Sequence, residues 1–368
     1  MKSRIAIVDG VRTPFVKAFS AFKNLSSKEL GRIAFSEVIQ RTEINPNLID
    51  EVILAGGAES MSTVPFTHTK RAQETFMALG KATPIQRIAA LRKIKGELVK
   101  PIIGLQEALS EPVCGLNMGQ TAEVLAKEFS ISRRDQDEFS LASHMKAAAS
   151  KAKLAEEIVP VEVGPDYKTT VDFDNGVREK QSMEDLSKLK PYFERGTGTV
   201  TAGNSSQITD GAAAVLIMTE EKAKALGYKP LGYIRSYSYE GLDPRRMGLG
   251  PAFAIPSALK KAGLTLKDIE LFEINEAFAA QVIACERALA SESFCKKELG
   301  LSGAVGTIRR DILNVNGGGI ALGHPVGVTG TRLILTLLKE LARRGQKLGV
   351  ASLCIGGGQG AAIVLERE

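Results

Sequence analysis

The chain has 368 residues, of which 44% are hydrophobic and 24% charged, a composition typical of a globular protein with one or two domains. Its formal net charge of +6 favours anionic ligands or surfaces. The sequence has no apolar run of 18 residues, no signal-peptide pattern and no cysteine spacing typical of disulfides or metal ligands. These absences predict a protein of a reducing compartment without a transmembrane helix.

Helices and strands alternate along the first part of the chain. An apolar strand at Ile5–Val8 precedes a helix over 27–41, which opens on the capping-box pair Ser26 and Glu29. An Asn-Pro turn ends that helix, and Ile49–Leu54 is predicted as the next strand. This alternation indicates a layered α/β fold.

Residues 67–100 differ in character, because eight basic residues stand against two acidic ones. Apolar side chains recur between these charges at helical spacing, at Ile85, Ile88, Leu91 and Ile94. One interpretation is a solvated helix packed on the domain. The other is a basic amphipathic surface over 70–100 that meets a membrane or an acidic partner.

Two more helices are predicted at Thr121–Phe129 and Ser132–Lys153, and residues 160–200 are rich in loops. A buried strand follows at Ala213–Met218. His68 and His144 are interpreted as packing or surface residues.

A second half begins near Leu231, with a strand over Leu231–Tyr239 and a helix over Ile255–Ala262 that Gly263 caps. Residues 266–274 then lead through an acidic position into a strand that ends at Ile274, directly before Asn275. Helix, turn, acidic residue and strand follow each other here as they do around residues 27–53, which indicates an internal repeat.

Two glycine-rich turns carry the candidate chemistry. His324 lies in the glycine-rich run 317–330, and Pro325 restricts its backbone before a helical pattern begins. Cys354 follows an apolar strand and precedes four glycines. Either residue taken singly is interpreted as structural, a turn histidine or a buried thiol. The dinucleotide-binding spacing at 356–361 is a false positive, because no helix pattern follows it.

Several motifs together resemble the thiolase family. In chain order they are Val11-Arg-Thr-Pro14, Ala55-Gly-Gly-Ala-Glu-Ser-Met-Ser62, Met118-Gly-Gln-Thr-Ala-Glu123, Asn275-Glu-Ala-Phe-Ala-Ala-Gln281, Gly319-Ile-Ala-Leu-Gly-His324-Pro325 and Cys354-Ile-Gly-Gly-Gly358. The resemblance implies an α/β fold of two similar βαβ-type halves, with mixed sheets in a layered sandwich. It implies a first half in 1–66 and 198–230, an inserted helical loop domain in 67–197 and a second half in 231–368.

The resemblance also implies that the first half is truncated. Thiolases carry a nucleophilic cysteine in a segment between two strands, and here those strands are fused, with the junction between about residues 53 and 55. None of the four cysteines stands in the nucleophile motif. Cys114, for example, belongs to the inserted region.

The resemblance implies roles for the remaining site residues. His324 would activate the nucleophile, Cys354 would move a proton to and from the substrate's α-carbon, and Asn275 would orient a water or donate to an oxyanion. The substrate would be contacted by Met118, Gly356 and Phe278. Coenzyme A and acyl-CoA are expected as substrates, with no metal and no permanently bound cofactor.

The implied function is that of an acetyl-CoA C-acyltransferase, which cleaves 3-ketoacyl-CoA with CoA, or runs the reverse condensation, in fatty-acid β-oxidation. One alternative is a thiolase-derived protein that binds acyl-CoA or a partner subunit without turnover. A further alternative is a thioesterase built on Cys354 and His324.

The expected partners follow from the same resemblance and from the basic stretch. They include a β-oxidation complex subunit, while the family's homo-oligomer interface is expected to be compromised and no nucleic acid is expected. The expected location is the cytoplasm, or the mitochondrial matrix in a eukaryote.

Overall fold

A mixed sheet of eight strands forms the centre of the chain in the computed structural model, which describes residues 3–51, 53–91 and 100–368. The described strands are β1 (Ile5–Arg12), β2 (Val16–Lys17), β3 (Ile53–Glu59), β4 (Phe66–Thr67), β5 (Ile102–Ile103), β6 (Ser110–Glu111), β7 (Leu116–Asn117), β8 (Val161–Val163), β9 (Thr169–Val171), β10 (Thr209–Thr219), β11 (Gly232–Gly241), β12 (Leu271–Ile274), β13 (Leu348–Ile355) and β14 (Gln359–Glu366). The short pairs β4–β5, β6–β7 and β8–β9 lie outside the central sheet.

Some of the described helices pack on the central sheet, and others lie within residues 67–197. The described helices are α1 (Ser27–Thr42), α2 (Lys70–Lys81), α3 (Pro84–Leu91), α4 (Gly104–Ala108), α5 (Met118–Glu128), α6 (Arg133–Ala149), α7 (Lys151–Ala155), α8 (Met183–Ser187), α9 (Glu220–Ala225), α10 (Gly250–Ala262), α11 (Ala279–Ala290), α12 (Glu292–Leu299), α13 (Gly319–Leu322) and α14 (Thr329–Arg344). Short 3-10 turns occur at Pro46–Glu51, Met61–Thr63, Pro244–Leu249 and Leu266–Asp268. No helix among the described residues is both long enough and apolar enough to span a bilayer.

The sheet consists of two sets of strands joined side by side. Its order is β12-β13-β14-β11-β1-β10-β2, and β3 also pairs with β10. The join is an antiparallel pairing of β1 with β11, where Ile5, Ala6 and Ile7 face Ile234, Tyr233 and Gly232. The α/β prediction is therefore confirmed, with both sets of strands in one continuous sheet.

Three helices cover the faces of this sheet. α1 packs on β1, β3 and β10, and α10 packs on β11, β13 and β14. α14 contacts β12 and β13 on one side and β1, β3 and β10 on the other. Its buried leucines join an apolar cluster that includes Ile7 and Val215 together with Leu271 and Leu365. One helix therefore supplies core to both sets of strands.

The local helix signals are confirmed. Ser26 and Glu29 form the expected capping box at the start of α1, and Gly263 ends α10 in the left-handed region at φ 70°. The predicted helix over Ser132–Lys153 is divided at Ser150, where one helix ends and α7 begins.

The predicted strand over Ile49–Leu54 is wrong in its first half. Residues 46–51 form a 3-10 turn, and the strand begins only at Ile53. The cause is local, because the Asn45 side chain accepts a hydrogen bond from the Asn47 N–H and the Asn45 carbonyl accepts one from the Leu48 N–H. An Asn before a proline thus starts a new turn instead of leading directly into a strand.

The basic stretch forms two amphipathic helices whose apolar side chains point to solvent. Met77 is 62% exposed and Ile85 is 82% exposed, while Ala72 of α2 is buried. Ile94 and the basic residues of 92–99 lie outside the described residues. The described part matches the amphipathic-surface interpretation better than a helix packed by its apolar face.

Candidate active site

An asparagine and a histidine from distant parts of the chain meet at the end of β12. Asn275 follows β12, and its backbone N–H donates to the Ser352 carbonyl of the neighbouring parallel strand at 2.9 Å. Its amide Nδ2 lies 3.2 Å from His324 Nε2. Asn275 is fully buried, and its Oδ1 has no hydrogen-bond partner within the described chain. The structure therefore brings these two predicted residues into direct contact.

The backbone before His324 needs glycine. Gly323 has φ +112°, and a Cβ at this position would lie 2.7 Å from the side chain of Thr209. The same Thr209 hydroxyl accepts a hydrogen bond from the His324 N–H at 3.1 Å and donates to the Gln207 carbonyl. The histidine is thus held by a strand of the opposite half, which the sequence analysis did not identify.

The buried carboxylate of Glu276, next to Asn275, forms hydrogen bonds with the segment that leads to His324. Glu276 accepts hydrogen bonds from Ser143 Oγ at 2.6 Å, Asn314 Nδ2 at 2.8 Å and the Ile320 N–H at 3.3 Å. Burial raises the pKa of Glu276, and these donors oppose that rise. The sequence analysis missed this role, although Glu276 stands inside the motif that begins at Asn275.

Cys354 lies near the end of β13 against an apolar wall. Its thiol packs with Met247 and Ala277, and Met118 and Phe278 contact the same cluster. This burial raises the pKa of Cys354 to about 12, so the thiol is protonated at neutral pH. A protonated thiol can give a proton to a substrate carbanion, which is one half of the proton transfer that the family resemblance implies for Cys354. The structure brings Cys354, Met118 and Phe278 together.

Gly356 lies one residue beyond the end of β13, on the exposed turn that connects β13 to β14. A Cβ at Gly356 would meet no described atom within 4 Å. Its predicted contact with substrate stays a prediction.

The ring of His324 is neutral at physiological pH. Burial first, and then the positive charge of Arg332, lower the pKa of His324 to about 4. Arg332 is itself fully buried and donates to Glu273 Oε2 at 2.8 Å. A neutral imidazole can accept a proton, which a general base must do.

None of the four thiols of the chain makes a hydrogen bond to His324 in the described structure. Cys285 Sγ donates to the Gly248 carbonyl at 3.3 Å and Cys295 Sγ to the Ala288 carbonyl at 3.5 Å, while Cys114 lies partly exposed in the insertion. No cluster of metal-ligating side chains occurs among residues 3–51, 53–91 and 100–368.

The two remaining histidines lie outside this site. His144 is buried, and its Nδ1 accepts a hydrogen bond from the Arg178 N–H at 3.2 Å. His68 contacts Phe76 edge-on. Their interpretation as packing or surface residues agrees with these contacts.

Comparison with known proteins gives a consistent family. The model of the thiolase N-terminal domain matches residues 5–55 and 50–221, and that of the thiolase C-terminal domain matches 228–367. The 3-ketoacyl-CoA thiolase of Shewanella halifaxensis (strain HAW-EB4) is 38% identical, over 99% of this chain and 97% of its own length. Among solved structures, human mitochondrial 3-ketoacyl-CoA thiolase is 31% identical with a TM-score of 0.84, covering 99% of this chain and 98% of its own. The Bacillus anthracis acetyl-CoA acetyltransferase is 32% identical with a TM-score of 0.83 and the same coverage.

The alignment also records a difference in length. It spans 427 positions with the Shewanella halifaxensis relative, whereas this chain has 368 residues, so at least 59 aligned positions have no residue here (427 − 368). The two matches to the N-terminal model overlap at residues 50–55, next to the start of β3. That the lost positions include the nucleophile segment stays a prediction.

Proposed function

This chain belongs to the thiolase family and is by family an acetyl-CoA C-acyltransferase, and we propose that it cleaves 3-ketoacyl-CoA with CoA, or runs the reverse condensation, in fatty-acid β-oxidation. The observations that carry the proposal are the contact of Asn275 with His324 and the packing of the Cys354 thiol on Ala277, two residues after Asn275. These groups supply a base, an acid and a hydrogen-bond donor at one place.

We further propose that CoA itself supplies the attacking thiol. His324 Nε2 takes the thiol proton, the CoA sulfur bonds to the C3 carbonyl carbon, and the C2–C3 bond breaks with its electron pair moving to C2. Cys354 Sγ–H then protonates C2, and the imidazolium proton returns to Cys354. The products are acetyl-CoA and a shortened acyl-CoA. The support is that no protein thiol is hydrogen-bonded to His324.

A thiolysis assay with 3-ketoacyl-CoA and free CoA tests the reaction. We expect turnover by the wild type, loss of activity in His324→Ala and Cys354→Ala, and retained activity in Cys295→Ala, whose thiol is buried away from the site. Initial rates measured at varied concentrations of both substrates should follow sequential rather than ping-pong kinetics, because the acyl group passes directly to CoA. An inert wild type that binds acyl-CoA in calorimetry would overturn the proposal. A stable acyl adduct on Cys354 in mass spectrometry would select a thioesterase instead.

We propose that Met118 and Phe278 contact the acyl chain and that the N–H of Gly356 faces the thioester. Both side chains pack beside Cys354, where a substrate α-carbon must lie for proton transfer. Met118→Ala should raise the KM for long acyl chains more than for short ones. An equal change for both chain lengths would contradict this assignment.

We propose that α2 and α3 form a peripheral contact with an anionic membrane surface. Exposed apolar side chains stand there beside basic ones, with Met77 and Ile85 near Lys81 and Arg87. Sedimentation with vesicles should show binding to anionic lipid and little to neutral lipid, reduced in Ile85→Ser. Binding that ignores lipid charge, or no binding at all, would contradict it; a protein partner in a β-oxidation complex is the other occupant to test.

We propose that the chain divides into 1–66 with 198–230, 67–197 and 231–368, and that it is located in the cytoplasm.

We also propose that the family's homo-oligomer interface is compromised. The support for this proposal is the edge strand β3, which pairs with β10 and with no other described strand. Light scattering after size-exclusion chromatography tests the assembly. A discrete tetramer would contradict the loss of the interface.

A further inference from the structure

Both ring nitrogens of His324 have a polar neighbour. Nδ1 lies 2.6 Å from the hydroxyl oxygen of Thr329, and Nε2 lies 3.2 Å from the amide nitrogen of Asn275. The Thr329 hydroxyl in turn lies 3.0 Å from the Pro325 carbonyl oxygen. Thr329 is fully buried and is the first residue of α14.

These contacts define one consistent arrangement of hydrogens. With the amide nitrogen of Asn275 facing the ring, Nε2 accepts its hydrogen bond and carries no proton. A neutral imidazole has one N–H, which therefore lies on Nδ1 and donates to Thr329. The threonine hydroxyl has one hydrogen of its own, and the Pro325 carbonyl is its remaining acceptor. Asn275, His324, Thr329 and Pro325 thus form one chain of donors and acceptors with a single direction.

The fold holds the Thr329 hydroxyl between a donor, the His324 ring, and an acceptor, the Pro325 carbonyl. The turn that begins α14 already directs the Val328 and Thr329 N–H groups to the Pro325 carbonyl, at 2.9 and 3.1 Å. This turn fixes the threonine side chain between that carbonyl and the ring. The opposite tautomer would set the N–H of Nε2 against the N–H of Asn275.

We propose that Thr329 is a positioning residue that holds His324 in the Nδ1–H tautomer, so that the bare Nε2 can take the proton of the substrate thiol. The catalytic consequence rests on the proposed function, whereas the tautomer does not. The thiol of CoA would replace the Asn275 amide as the donor to Nε2. A serine at 329 would preserve this role, and a valine would remove it at nearly unchanged volume.

Nitrogen NMR of histidine-labelled protein tests the tautomer directly, since the chain has three histidines. His144 is an internal reference of the opposite kind, because its Nδ1 accepts a hydrogen bond from the Arg178 N–H. We expect His324 to be protonated on Nδ1 in the wild type and in Thr329→Ser. In Thr329→Val the Nδ1–H loses its acceptor and the Asn275 amide can turn its unpartnered oxygen to Nε2, so we expect the Nε2–H form to appear, with the His144 signal unchanged as evidence of an intact fold.

The assay adds a second readout. Thr329→Val should lower kcat about 100-fold with little change in KM, because the base then carries its proton on the wrong nitrogen, and Thr329→Ser should restore most of it. A wild-type His324 protonated on Nε2, or a Thr329→Val variant that keeps the Nδ1–H form, would overturn the proposal. An inert wild type with the expected tautomers would refute only the proposed function.

Discussion

Beyond the two-residue strand β2, the described part of the central sheet has two edge strands, β12 and β3, and the chain covers one of them far better than the other. The outer edge of β12 is closed by a following loop, as the Phe272 N–H donates to the Ile312 carbonyl and the Ile274 N–H donates to the Asn314 side chain, both at 2.8 Å. Beside β3, in the described part of the chain, no strand pairs with the outer edge. Ile274 is 0% exposed, whereas Ile53 is 63% exposed.

The two halves are otherwise built alike. β3, β10 and β1 pair in the order and directions of β13, β14 and β11, and each set carries one outer helix, α1 or α10. The second half adds β12 and α14, and α14 alone lies against both sets of strands. The difference teaches that the second half supplies core which the first half lacks. Substitutions in both halves test how far the stability of the first half depends on this core.

The buried ion pairs of Arg12 stabilise the first half, and their removal should have the largest effect on the free energy of unfolding. The guanidinium of Arg12 in β1 is fully buried and pairs with Glu157 at 2.6 Å and with Asp174 at 2.6 Å. Arg12→Met should lower the free energy of unfolding by about 3–5 kcal/mol, because two carboxylates remain buried without their partner. Urea denaturation measures this. Arg134→Met, which breaks an exposed pair with Glu138, is the control and should leave the free energy of unfolding nearly unchanged.

Shortening single buried leucine side chains of α14 tests whether the two halves unfold together. Leu335 lies against Gly10 of β1, and Leu337 lies against Gly349 of β13, so one helix offers a matched pair. Each leucine-to-alanine change should cost about 2–5 kcal/mol of unfolding free energy. Both variants should keep a single transition in urea, followed by circular dichroism. An early separate transition in Leu335→Ala would show that the first half is an independent unit.

Lowering the pH should reduce the free energy of unfolding through His144, a buried residue of α6. Burial, and then the charge of Arg178, lower the pKa of His144 to about 4, so the unfolded chain binds a proton below pH 6.5 that the folded chain resists. The stability that His144 contributes is complete above pH 6.5 and is lost as the pH falls towards 4, by up to about 3 kcal/mol.

Unfolding measured from pH 7 to pH 4 in wild type and His144→Asn isolates this contribution. The asparagine oxygen keeps an acceptor for the Arg178 N–H, so the two proteins should differ little at pH 7. At pH 4 the variant should have lost less stability. Parallel pH curves would contradict the assignment.

The smallest effect compares the two edges directly. Ile274→Val removes one methylene from a buried site and should cost about 0.5–1.5 kcal/mol. Ile53→Val makes the same change on β3 and should stay within about 0.5 kcal/mol. Equal costs would mean that the edge of β3 is covered in solution, for example by a second molecule.

Features that depend on neighbours in sequence could be predicted, and those that depend on distant residues could not. The capping box of Ser26 and the glycine cap at Gly263 need only a few consecutive residues. The choice of His324 and Asn275 as site residues followed from the family resemblance, whereas their direct contact is known only from the structure. The support of His324 by Thr209, 115 positions away, has no local pattern.

The environment of Cys354 shows the same limit. Its raised pKa arises from packing against Met247, a residue of a short 3-10 turn more than 100 positions earlier. The error at Ile49–Leu54 was instead local, since an Asn-Pro pair can end one helix and begin another turn.

The pairing of β1 has a consequence for synthesis of the chain. Ile5 pairs with Thr219 on one side and with Ile234 on the other, so 214 residues separate it from the nearer partner (219 − 5). At about 5–20 residues per second, this apolar strand leaves the ribosome roughly 10–40 s before any partner strand has been made. This strand is therefore sheltered only after about 200 further residues have been made, since both of its partners, β10 and β11, lie that far along the chain.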